Sequence, residues 1–243
     1  MARGTSWLKA YLQPFSIASP SPPATVPEPT FVASIAPVSL LVLVVIGCVY
    51  WSISNEWFMQ ETLARAEADA VTTEEIQRLE NTRTGIESAL RNPGIRLLLS
   101  ARSAIVLLRS YLLFIVVLWL TLSFMSGRWG LFLPLWLASG ASTSILVCGI
   151  MTNTVLKVVL LKQVAALGPI LFIESGDLEE PVTVLLTQVD AFLLWYMAHL
   201  SGRLSSQFDE RPLYVFLASY SIWLALILTL RVLSGMGVSL TLN

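Results

Sequence analysis

The chain has 243 residues, of which 55% are hydrophobic and 13% charged, and its formal net charge is −1. Soluble domains carry roughly 25% charged residues, so a water-soluble catalytic or binding domain is a poor fit. A charge so near zero gives no electrostatic reason to expect nucleic acid or an acidic substrate. The apolar residues fall in long runs, which makes lipid the expected solvent and the bilayer the first partner.

Residues 1–30 form a Pro-rich aqueous or interfacial arm ahead of a membrane domain at 31–243. Ser6 suits a helix N-cap, and Trp7, Tyr11 and Phe15 recur four apart with Leu8 and Leu12 beside them. Such a stripe fits a helix lying on the bilayer, or a peptide docked on the chain's own spans. Pro20, Pro22, Pro23, Pro27 and Pro29 then impose an extended linker, since proline lacks an amide donor and restricts the residue before it. The first strong apolar run begins only near Phe31 and is long enough to cross a bilayer, unlike a secretory leader.

The expected architecture is all-α, with about five transmembrane helices plus an amphipathic helix. The first span covers about 34–53 and ends on Tyr50 and Trp51, aromatics that favour the interface. Most of the charge lies in 54–94. There, Thr72 and Glu75 make a capping box, and Ile76, Leu79, Ile86 and Leu90 form one apolar stripe. An amphipathic extramembrane helix over about 72–91 follows, ended by Pro93 and Gly94. The second span is expected within 103–125, its helix starting near Ile95, and the turn at Gly127–Trp129 leads into a third span over about 130–151.

The middle of that third span is small and polar, from Ser139 to Ser144. Gly140, Ser144 and Cys148 fall four apart on one face, the spacing by which membrane helices approach closely when lipid removes the hydrophobic drive. A packing face is favoured over a substrate path. Residues 154–173 are apolar enough for an interfacial helix, but Lys157, Lys162, Gly168 and Pro169 weaken them as a span. The acidic run Asp177, Glu179 and Glu180 reads as a solvated loop. The fourth span is placed at about 182–204 and the fifth at about 213–238, joined by a polar connector holding Arg203, Asp209, Glu210 and Arg211. No inverted repeat of the transporter kind is visible.

Motifs for chemistry are sparse. Phosphate-cradling glycine loops are absent. Cys48 and Cys148 lie inside apolar runs without ligand spacing and read as small buried residues. His199 is the one histidine, so a zinc site of several imidazoles is excluded and no metal or cofactor is expected. As a single imidazole it could ligate a pigment or haem. The plainer reading is a hydrogen bond to a neighbouring helix or the interface. A serine nucleophile would need that histidine as its base, and Ser142 with His199 is the one conceivable pair, unsupported by any surrounding motif.

Three ionisable residues fall within predicted spans: Arg109, Asp190 and Arg231. If the spans alternate in direction, all three lie toward one face, and at ~1.5 Å per residue each sits roughly 9–12 Å inside it. A shared depth permits an Arg–Asp–Arg cluster serving an ion or a lipid headgroup. The plainer alternative is a structural ion pair with snorkelling arginines.

Three segments carry a family likeness: the Trp-Leu-Lys start with its linker PSPPATVPEPTFV and the span opening IAPVSLL; the charged helix TTEEIQRLENTRTGIESALRN feeding the second span; and TQVDAFLLWYMAHLSGRLS ahead of the last span. In this layout the chain resembles the Yip family, the Ypt-interacting-protein group of five-span membrane proteins, in its bacterial branch. Asp190, Phe192, Trp195 and Gly202 match the family's fourth-span pattern. The resemblance implies that Asp190 sits at the head of its span, that the N-terminus is cytosolic and that the C-terminus lies on the far side. Eukaryotic members act in vesicle trafficking and contact small GTPases, whereas bacterial members have no well-defined activity. The short Pro-rich arm gives no ground for carrying GTPase binding over.

The raw Lys and Arg distribution opposes that orientation, because Arg65, Arg78, Arg83, Arg91, Arg96, Arg102, Lys157 and Lys162 share the face opposite the N-terminus. Much of that segment is acidic too, while the short turns carry Arg128, Arg203 and Arg211, so an inside N-terminus is retained. The functional expectation is a non-enzymatic, multi-pass protein of the bacterial inner membrane, a scaffold working through helix packing with protein partners. The alternatives are an accessory subunit of a respiratory or photosynthetic complex, packing on lipid, quinone or pigment, and a small transporter or channel.

Overall fold

A computed structural model of the chain describes residues 31–57, 59–60, 63–64, 80, 83–85, 87–160, 166–172 and 180–235. The N-terminal arm 1–30 and most of the amphipathic segment 72–91 lie outside the described residues, although 83–85 and 87–91 are helical as expected. The fold is all-α and polytopic. Its helices are α1 (Phe31–Ser54), α2 (Pro93–Ser126), α3 (Phe132–Leu160), α4 (Glu180–Thr187), α5 (Ala191–Phe208) and α6 (Pro212–Gly235). Single 3₁₀ turns stand at Trp129–Leu131 and Pro169–Phe172.

Among the described residues, four stretches are long and apolar enough to cross a membrane: Ile35–Ser54, Pro93–Ser126, Trp129–Leu160 and Pro212–Leu230. At ~1.5 Å per residue α2 extends ~50 Å, well beyond a hydrocarbon core of ~30 Å. Its start is set by local chemistry. Pro93 fits the first helical position, where no amide partner is needed, and Asn92 Oδ1 accepts the Gly94 amide at 2.9 Å.

The surface is inverted relative to a soluble protein. Leu98 is 70% exposed and Phe124 81%, whereas Ser139, Ser142 and Thr143 are fully enclosed. Water as solvent would penalise both halves of that arrangement, and a bilayer penalises neither. Many of the enclosed hydroxyls turn back on their own helix. Ser100 donates to the Arg96 carbonyl, Ser142 to Ala138 and Ser219 to Val215, which satisfies a polar group that hydrocarbon cannot.

Two sequence expectations are revised. The third helix does not stop near residue 151 but continues through Lys157 to Leu160, so 154–160 belongs to α3 rather than to a separate interfacial helix. The segment 182–204 is not one helix: α4 ends at Thr187, and α5 begins after Asp190. The second helix begins at Pro93, close to the start expected near Ile95.

The residues cluster into two compact units. One comprises the described residues of Met1–Ser39, Leu108–Leu146 and Leu193–Asn243; the other comprises those of Leu40–Leu107 and Val147–Phe192. The first holds a packed interior of Phe114, Leu118, Leu135, Ile145, Met197 and Leu204, closed by Trp223 edge-on to Phe114 with ring centroids 5.6 Å apart. In the second unit α3 and α5 approach so closely at Gly149 that a Cβ there would lie 2.7 Å from the Cβ of Phe192.

Candidate functional site

In the first unit a polar seam joins three helices. Tyr111 on α2 and Tyr196 on α5 each place a hydroxyl 2.7 Å from Ser139 Oγ on α3. All three residues are buried. One serine thus shares a hydrogen bond with each of two aromatic hydroxyls in an apolar interior, where losing a partner costs about 1–3 kcal/mol.

Three residues further along α3 and α5, Ser142 Oγ lies 2.9 Å from His199 Nδ1. The same oxygen donates to the Ala138 carbonyl at 2.8 Å. With its hydrogen on the Ala138 carbonyl, the hydroxyl would accept from the imidazole, the tautomer that carries its proton on Nδ1 and leaves Nε2 unprotonated. This orientation is the reverse of what nucleophilic catalysis requires, where the base nitrogen must be unprotonated toward the serine. His199 is half-buried, and Arg203, one helical turn on, lies close enough to affect its charge.

Gly140 occupies the predicted packing face of α3. A Cβ built on it would meet Pro37 of α1 at 3.8 Å, so the two helices are in near contact there. Ser144 is buried on that face, its Oγ without a hydrogen-bond partner among the described residues. Cys148 is half-buried, and like Cys48 it is a free thiol.

In the second unit Asp190 is the junction of three segments. Its Oδ1 accepts the Phe192 amide at 2.8 Å, which caps the first turn of α5. Its Oδ2 accepts Asn153 Nδ2 of α3 at 2.9 Å and the Leu167 amide at 3.0 Å. The Leu167 carbonyl in turn accepts the Ala191 amide at 2.9 Å. Gly168 then passes so close to the Val189 carbonyl that no side chain fits. Asp190 is buried, but it stands at the head of α5, as the family resemblance implied, and not inside a continuous span.

Of its two proposed arginine partners, Arg109 is exposed on α2, and the side chain of Arg231 lies outside the described residues. Asn153, Leu167 and Phe192 each give Asp190 a neutral N–H donor.

A third polar group sits where the apolar run of α1 ends. Arg96 Nη1 donates to Ser54 Oγ at 2.9 Å and Nη2 to the Leu90 carbonyl at 3.3 Å, and the guanidinium lies 5.5 Å from the centroid of Tyr50. Among the described residues no group of three His, Cys, Asp or Glu is placed to hold a metal ion.

Several of these residues were invisible to pattern reading. Tyr111 and Tyr196 pass as core aromatics, Asn153 as part of a loop, and Arg96 as one cation among many. Nothing in one sequence marks which hydroxyl faces which. Asp190 did carry a signal, since an aspartate directly before the apolar run Ala191–Leu194 is an N-cap pattern. No protein-family model, curated protein or solved structure matches the chain.

Proposed function

We propose that the chain is a non-enzymatic membrane scaffold of Yip-like type, seated in a bacterial inner membrane, that organises partner proteins and the surrounding bilayer through helix packing. The carrying observation is how its polar groups are spent. Tyr111, Ser139, Tyr196, Ser142 and His199 hydrogen-bond to one another between helices, and Gly140 brings α3 against Pro37 of α1. Groups used to knit helices together are not held ready for substrate, and Ser142 in particular has its hydrogen committed to Ala138. The broad apolar exterior, with Leu43, Ile105 and Val159 each about two-thirds exposed, offers contact area for lipid and for neighbouring membrane helices.

Gentle extraction of the full chain from its native membrane, followed by mass spectrometry, tests this reading. A membrane protein recovered in fixed stoichiometry supports the scaffold. Recovery without any stoichiometric partner, or substrate turnover by the purified chain, overturns it.

A second reading, as accessory subunit of a pigment- or haem-bearing complex, is favoured by one observation, the open Nε2 of His199 beside the exposed Trp195. A coloured preparation that bleaches on His199→Ala would replace the first reading with this one.

A further inference from the structure

We propose that Arg96 binds the phosphate of an anionic phospholipid at the edge of the bilayer. The inference is independent of the scaffold reading and rests on the charge and placement of one side chain.

The candidate membrane span of α1 ends at Ser54, and Tyr50, one turn earlier, is an aromatic of the interfacial kind. Arg96 lies against both residues. Immediately beyond it Leu97 and Leu98 are 54% and 70% exposed, a surface that suits lipid tails. Four and five positions before it come Asn92 and Arg91, both exposed and polar. The guanidinium therefore sits at the depth where headgroup gives way to hydrocarbon.

Its partners leave its charge standing. Ser54 Oγ and the Leu90 carbonyl are neutral acceptors. The Ser54 hydroxyl donates to the Tyr50 carbonyl at 2.7 Å, so only its lone pairs face the arginine. Nε is enclosed and has no partner among the described residues. Each terminal nitrogen carries two hydrogens and uses one in these contacts, which leaves one donor on each for phosphate oxygens.

Among the described residues no carboxylate pairs with Arg96. Glu87, nine residues earlier in sequence, is engaged by Arg83 at 3.3 Å, and the exposed Arg91 and Arg102 add positive charge to the same unit. A half-buried cation whose partners among the described residues are all neutral favours an anion, and the anion always present at this depth is the lipid phosphate.

The test is native mass spectrometry of the full chain released from nanodiscs containing equal phosphatidylglycerol and phosphatidylcholine. The wild-type chain is expected to retain phosphatidylglycerol selectively. Arg96→Gln should reduce that retention about tenfold, the equivalent of one charge-assisted contact. Arg96→Lys should keep the preference in weakened form, and Arg128→Gln, at an arginine already paired with Asp209, should leave it unchanged.

Equal retention of both lipids by the wild-type chain overturns the proposal whether or not a variant folds. So does a preference that survives Arg96→Gln. Inorganic phosphate added at millimolar concentration separates the two sources of the anion: undiminished retention assigns the site to lipid, and displacement assigns it to a free phosphate and contradicts the proposal.

Discussion

Ser142 Oγ lies 2.9 Å from His199 Nδ1 across α3 and α5 and 2.8 Å from the Ala138 carbonyl on its own helix. The pair links two helices, and a serine hydrogen on Ala138 corresponds to the imidazole tautomer protonated on Nδ1.

The tautomer is directly observable. In the ¹⁵N-histidine-labelled full chain, His199 Nδ1 should show the protonated, pyrrole-type shift and Nε2 the unprotonated, pyridine-type shift. The opposite assignment would return the serine hydrogen to the histidine and reopen the nucleophilic reading. Ser142→Ala should leave Nδ1–H without its acceptor and lower stability by about 1–3 kcal/mol.

The seam at Ser139 should behave as a unit. Ser139→Ala leaves both Tyr111 and Tyr196 hydroxyls without their shared partner and should cost about 1–3 kcal/mol. Adding Tyr111→Phe and Tyr196→Phe to that variant should recover part of the loss, since buried polar groups without partners are removed. Unfolding in detergent by steric trapping measures the cycle, and strict additivity of the three substitutions would show that the hydroxyls are not coupled.

Asp190 holds backbone on two segments, so its loss should be visible at two separated amides. Asp190→Ala is expected to speed hydrogen exchange at both Leu167 and Phe192, with a stability loss of about 1–2 kcal/mol from the missing cap. Faster exchange at Phe192 alone would mean that the loop holding Leu167 is fixed by other contacts.

Two glycines should respond oppositely to alanine. Gly168→Ala drives a Cβ into the Val189 carbonyl and must displace backbone, so it should destabilise the α4–α5 junction. Gly202→Ala meets open space on α5 and should stabilise that helix by up to about 1 kcal/mol through its higher helix propensity. Thermal unfolding of the two variants in one detergent compares them, and the same sign of change in both would contradict the packing at Gly168.

The long apolar helices were legible because their signal is cumulative. Twenty or more residues of α1, α2, α3 and α6 each point the same way, and no single contact decides the outcome. The failures came where one contact outweighs composition. The third span is expected to end at about 151, with Lys157 weakening 154–173 as a span, yet α3 runs on through Asn153 and Lys157, and Asn153 donates to Asp190.

The apolar stretch 182–204 read as continuous. A carboxylate that caps Phe192 while taking up the Leu167 amide starts a new helix at Ala191 instead. The small-residue face at Gly140 was readable from spacing, whereas its contact with Pro37 was not. The polar seam depended on pairing distant residues, which one sequence does not encode in any local pattern.

Everything described follows from an exterior bathed in hydrocarbon and an interior lined with hydroxyls. Nitroxide labels placed singly at Leu43, Ile105 and Val159 in the reconstituted chain, with a control label at the exposed Arg211, test that arrangement most directly. At the three apolar positions the account predicts strong relaxation by dissolved oxygen and little by a water-soluble nickel chelate, with the reverse at position 211. Nickel accessibility at all three equal to that of the control would place those faces in water and contradict the account.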